Sequence, residues 1–120
     1  MKNEVCWAFE GVIKPGKLED LYELLEEFVQ VTKKEEKVLN YEFWTNAEKT
    51  TVYVHERFVD CDGAIAHVHN AGFLLPRLAE CMEIQPFHIL GNMSPEGKEM
   101  FGGLGAGFTE YVNGLWCPCI

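Results

Sequence analysis

Serine is nearly missing from this 120-residue chain; Ser94 is the one example. Without a Gly-x-Ser-x-Gly turn, serine-nucleophile hydrolysis finds no support. No apolar run nears the roughly 18 residues of a membrane span. The opening Met-Lys-Asn-Glu-Val-Cys-Trp goes straight into a strand pattern rather than a leader's charged-then-apolar plan. Basic side chains are also scarce: 10 Lys+Arg stand against 19 Asp+Glu, a net charge of −9. Such a surface repels phosphate backbones and anionic lipid, so neither nucleic acid nor a membrane is an expected partner. A soluble, cytoplasmic protein is expected.

Cysteine is present but unpatterned. Cys6, Cys61, Cys81, Cys117 and Cys119 are odd in number and irregular in spacing, which argues against a disulfide framework. His67-x-His69 cannot place two metal ligands on one helix face, where the spacing is three or four. Cys117-Pro118-Cys119 offers two thiolates, too few to close a four-ligand site, and has no basic neighbour to lower its pKa. No metal site is expected. The run Gly103-Leu104-Gly105-Ala106-Gly107 has glycines but neither the helix nor the acidic partner of a nucleotide loop in the right order.

What the chain does have is apolar bulk. Hydrophobic residues make up 48%, with Phe 8, Tyr 4 and Trp 3. That supports one domain with a real core and either a greasy pocket or an interface.

Glu4 to Ile13 alternates, with Val5, Trp7, Phe9 and Ile13 on one face. Lys14-Pro15-Gly16 ends that strand. Lys17 to Glu36 is predicted as a helix, its stripe formed by Leu18, Leu21, Tyr22, Leu25, Phe28, Val29 and Thr32. Val38–Thr45 and Thr51–Val59 alternate as two strands of an antiparallel hairpin across Asn46–Thr50. Cys61–Asn70 and Phe73–Met82 are predicted as helices interrupted at Ala71-Gly72. Glu83–Met93 is predicted as a last strand, with Pro86 arguing for an edge position. The order is β-α-β-β-α-β, an α+β ferredoxin-like pattern over residues 1–93. Residues 94–120 form a C-terminal extension: Ser94-Pro95-Glu96 starts a short helix, and an aromatic, Gly-rich arm follows. The arm is expected to pack on this subunit or on a partner.

The chemistry concentrates in the strand–turn–helix from Thr51 to Phe73. Val52, Val54 and Phe58 share a face with one carboxylate, Glu56, while Tyr53, His55 and Arg57 face the other way. Asp60 is a helix cap. On the helix beyond it, His67 sits among Ala64, Ile65, Val68 and Ala71. A buried carboxylate and a buried imidazole from adjoining elements suit acid–base chemistry. They equally suit a structural ion pair. His69, two residues on, points elsewhere, to surface or interface. Trp7 is expected to be a core or interface aromatic.

The run Glu56-x-Phe58-x-Asp60, then Ala64, His67 and Phe73, resembles the central signature of the antibiotic biosynthesis monooxygenase (ABM) domain family. The Pro15-Gly16 turn and the acidic helix after it match as well, so the resemblance covers roughly residues 4 to 93. It implies a ferredoxin-like monomer that pairs through its sheet into a dimeric α+β barrel. It also implies a pocket between sheet and helices. Some members oxidise quinols or phenols with O₂ and no cofactor. The expectation carried over is cofactor-independent monooxygenation of a small aromatic substrate, with O₂ as co-substrate. His67 and Glu56 would be catalytic, Glu56 setting the tautomer and orientation of His67. Trp44, Tyr53, His55 and Phe73 would bind substrate; the sheet face of Tyr53 and His55 equally suits the dimer contact, and Trp44 a core or interface position. The alternative is a non-catalytic ligand-binding or structural homodimer. A haem-degrading branch of this fold uses Asn, Trp and an axial His where this chain has Phe9, His67 and Arg77, so that activity is not expected.

Overall fold

The computed structural model describes residues 3–115. Its elements run β1 (Val5–Ile13), α1 (Leu18–Thr32), β2 (Val38–Thr45), β3 (Thr51–Phe58), α2 (Cys61–Ala71), a 3₁₀ turn (Gly72–Leu74) and α3 (Leu75–Cys81). β4 (Met82–Ile84), β5 (Phe87–Ile89), α4 (Pro95–Gly102) and β6 (Ala106–Phe108) follow. The main sheet has the order β2-β3-β1-β4, and each of its neighbouring pairs is antiparallel. This is the α+β ferredoxin-like arrangement.

Alternation decides the faces. Val5, Trp7, Val52, Val54, Glu56 and Phe58 are buried on the helix side, and their neighbours along each strand point outward. α1 lies on the inner face through Leu21, Leu24, Leu25 and Phe28. Tyr22, expected on its stripe, is instead exposed, and Leu24 takes the core position. Each of those buried side chains contributes roughly 1.5–3 kcal/mol. Glu19 and Asp20 in the first turn add only about 0.3–1 kcal/mol through the helix dipole. Packing, not end charge, therefore holds this helix.

Three local departures from the sequence pattern shape the site. α1 ends at Thr32, not Glu36, so residues 33–36 form a turn that can aim a side chain inward. β2 carries an irregularity between Val38 and Asn40. It removes Leu39 from the alternation, so Val38, Tyr41 and Phe43 face inward while Leu39 is half exposed. The single last strand expected over Glu83–Met93 is two short ones. Gln85 N–H still donates to Glu10 O at 2.8 Å, but Pro86 has no N–H and the chain leaves the ladder there. It rejoins β1 at Cys6 and Leu90, which exchange both backbone bonds at 2.9 and 3.0 Å.

The caps fall where the sequence places them. Asp60 Oδ1 accepts from Gly63 N–H at 2.9 Å, and Ser94 Oγ accepts from Gly97 N–H at 3.0 Å. Beyond Ser94, Phe101 of α4 is buried against Trp7, with ring centroids 5.1 Å apart. β6 pairs in parallel with β5. Residues 109–115 have no regular structure, and Val112 and Leu115 are almost fully exposed. Trp116, Cys117 and Cys119 lie outside the described residues. Among the described residues, Cys61 and Cys81 are free thiols, and no helix is long and apolar enough to cross a membrane.

Candidate active site

A cavity of about 240 Å³ lies between the sheet and the helices. Phe9, Phe28, Phe43, Val54 and Phe87 contribute to its apolar wall, and Phe101 and Leu104 reach it from α4 and the turn after it. Its ionisable lining is Glu56, His67 and Tyr41. A planar, mostly hydrocarbon molecule suits such walls.

His67 Nε2 stands 3.4 Å from Glu56 Oε1, and both side chains are below one-tenth exposed. The expected pair therefore meets. Glu56 is not the only carboxylate at the ring. Glu35, from the turn after α1, meets His67 Nδ1 with both oxygens, at 2.9 and 3.1 Å. Glu56 is held by Trp7, whose Nε1–H donates to Oε2 at 2.9 Å. Its other oxygen, Oε1, is buried and has no hydrogen-bond partner. The Tyr41 ring packs edge-on to His67, with centroids 5.1 Å apart.

Burial dominates the ionisation of Glu56. It pushes the carboxyl up to about 7, although the His67 charge and the Trp7 bond pull the other way. Burial alone would discharge His67. The Glu35 hydrogen bond and the charges of Glu56 and Glu35 outweigh it and hold the imidazolium above the ordinary range. Tyr41 is pushed far up by burial and by both carboxylates, so its phenol stays neutral. His67 Nε2 and Glu56 Oε1 thus face each other as a buried acid–base pair. The pair can give a proton or take one.

The four residues expected to bind substrate do not reach this cavity. Trp44, Tyr53 and His55 lie on the opposite sheet face, where Trp44 is 60% exposed. His55 Nδ1 is 3.3 Å from Asn40 Nδ2 and 3.9 Å from Glu42. The reason is the period of two: Tyr53 and His55 flank Val54, which faces in. Phe73 is 66% exposed because the 3₁₀ turn swings it outward and buries Leu74 instead. His69 is exposed. Trp7, Tyr41, Phe43 and Glu35 are the residues that sequence reasoning missed. Trp7 was legible as an alternating strand position beside Val5 and Phe9, and Glu35 had no signal beyond a mixed charge run. Among the described residues no three His, Cys, Asp or Glu side chains are grouped to hold a metal. Glu35 and Glu56 address opposite nitrogens of one ring, so their oxygens do not converge on a point.

No protein-family model and no curated protein sequence matches the chain. Solved structures do. MupZ from Pseudomonas fluorescens superposes with a TM-score of 0.82 at 20% identity, over 98% of this chain and 97% of MupZ. A provisionally assigned antibiotic biosynthesis monooxygenase from Nitrosomonas europaea gives 0.65 at 19% identity, over 79% and 95%. SnoaB, a cofactor-independent oxygenase from Streptomyces nogalater, gives 0.65 at 8% identity, over 77% and 95%. The chain therefore shares the α+β fold of these proteins.

Proposed function

We propose that this protein is a cofactor-independent monooxygenase acting on a small quinol- or phenol-type substrate. His67 and Glu56 would form its acid–base centre. The observation that carries the reading is Glu56 Oε1: buried, 3.4 Å from His67 Nε2 but accepting no hydrogen bond, on the wall of an apolar cavity, and ionising near neutrality. A buried oxygen of this kind costs free energy until something donates to it, and a substrate hydroxyl would. Glu56 takes that proton, and the phenolate left in a dry pocket is electron-rich enough to pass an electron to O₂. Recombination of the two radicals forms the carbon–oxygen bond. Loss of water then leaves one oxygen atom in the product and the other in the water, all electrons coming from the substrate. His67 holds the charge of Glu56 and donates from Nε2 as the peroxide breaks.

The protein works as a cytoplasmic homodimer in this reading, paired through the outer sheet face that carries Trp44 and Tyr53. Those side chains, with Val12, are large, apolar and exposed on one face, as an interface requires. The expected residues Trp44, Tyr53 and His55 then serve subunit contact, and Phe73 the surface.

The test is oxygen uptake with a panel of quinols. His67→Ala abolishes uptake while the chain stays folded by circular dichroism. Full activity in that variant would end the assignment. Tight quinol binding by the wild type without O₂ consumption would favour the non-catalytic binder.

A second reading is proton transfer without oxygen on an apolar substrate. The observation in its favour is the facing pair itself, His67 Nε2 and Glu56 Oε1 3.4 Å apart, which needs no O₂ to move a proton. Turnover that persists under anaerobic conditions would select it.

A further inference from the structure

We propose that Glu35 is the positioning residue of this site: it fixes which nitrogen of His67 carries the permanent proton and turns the other toward Glu56. This builds on the acid–base reading above, but its first test needs no turnover.

A neutral imidazole has one N–H, and its neighbours decide which nitrogen holds it. Glu35 addresses Nδ1 with two oxygens at 2.9 and 3.1 Å, whereas Glu56 addresses Nε2 with one oxygen at 3.4 Å. The shorter, two-oxygen contact takes the proton. Nδ1–H is then constant, and the proton between Nε2 and Oε1 is the mobile one.

Glu35 is itself immobilised. Asn70 Nδ2 donates to Glu35 Oε2 at 2.9 Å and to Val31 O at 3.0 Å. Asn70 follows His67 by three residues, so one face of α2 brings both side chains to the same carboxylate. That carboxylate lies away from the cavity, in the wall of a shallow groove with Lys34, Lys37 and Asp62. Glu35 therefore cannot touch a molecule in the cavity and acts only through the ring. The titratable groups facing that ring are Glu35 from the turn after α1, Glu56 from β3 and Tyr41 from β2.

Long-range ¹⁵N spectra of the histidine rings in the full chain, recorded across pH, test this. His67→Gln identifies the resonances. The wild type is expected to show Nδ1–H in the neutral form and a titration above the free-imidazole value. Glu35→Gln keeps the shape but removes the charge, and proton affinity at His67 should fall about tenfold. Glu35→Asp restores the charge and should recover most of that affinity. The pH profile of turnover should shift with the ring in each variant. An Nε2–H tautomer in the wild type would overturn the proposal without any variant. So would a Glu35→Gln protein that loses stability but keeps both tautomer and titration, since Glu35 would then be only a clamp on α2. If no substrate is ever turned over, the acid–base reading fails while the ring spectra still decide the role of Glu35.

Discussion

Trp7 and Glu56 are cross-strand partners on β1 and β3, and the indole N–H donates to Glu56 Oε2 at 2.9 Å. The bond satisfies one carboxylate oxygen and leaves the other to His67 and the cavity. It connects the packing of the sheet to the chemistry of the site. The same indole stacks on Phe58 at 5.2 Å and lies 5.1 Å from the Phe101 ring. Orientation of Glu56 thus depends on aromatic packing contributed partly by α4.

Trp7→Phe tests that dependence. It keeps an aromatic ring and deletes the donor. Glu56 loses an interaction that lowers its pKa, so its carboxyl should titrate above about 7. Carboxyl ¹³C NMR checks this. Unfolding in urea should show a loss of about 1–3 kcal/mol, the cost of leaving a buried acceptor unpaired. The pH optimum of any base-catalysed turnover should move upward with the carboxyl.

Glu56→Gln tests the linkage between charge and stability. The folded-state value, about 7, lies above the ordinary 4.5. The native state therefore binds the proton more tightly than the unfolded chain does. Stability from this group is complete below about 4.5 and is lost as pH rises to about 7. His67, also raised, adds a loss in the same direction at higher pH. The wild type should lose up to about 3 kcal/mol between pH 4.5 and 7 from Glu56. Glu56→Gln, which has nothing to ionise there, should show a much flatter profile. Urea melts at pH 5 and pH 7.5 measure the difference. Catalysis should fall about 10²–10⁴-fold in the same variant.

Trp44→Glu tests subunit pairing. Trp44 lies opposite Tyr53 on the outer sheet face and is 60% exposed in the single chain. A carboxylate there would face burial without a partner, at a cost of several kcal/mol. Sedimentation should show the wild type as a dimer and the variant as a monomer. A monomeric wild type at the concentrations used for turnover would leave this face without a copy of itself.

The position of Glu56 was legible because a strand repeats every two residues: once Val52, Val54 and Phe58 face inward, Glu56 must. His67 was legible through its apolar helical neighbours, and the caps Asp60 and Ser94 through local chemistry. Trp44, Tyr53 and His55 show how far such reasoning reaches. Their alternation put them on one face of the sheet, but nothing local said whether that face met a cavity. Phe73 was misplaced because a 3₁₀ turn has a different period from the helices around it.

The chain order of this protein therefore determined its first three strands, its caps at Asp60 and Ser94, and the inward direction of one carboxylate and one imidazole. These follow from contacts between residues a few positions apart. Tertiary structure alone decided that Glu35 meets the ring from 32 residues away and that Trp7 meets Glu56 from 49. Those contacts depend on where α1 stops and on the register of β1 against β3. Both are settled by packing across the whole domain, which no short window of sequence contains.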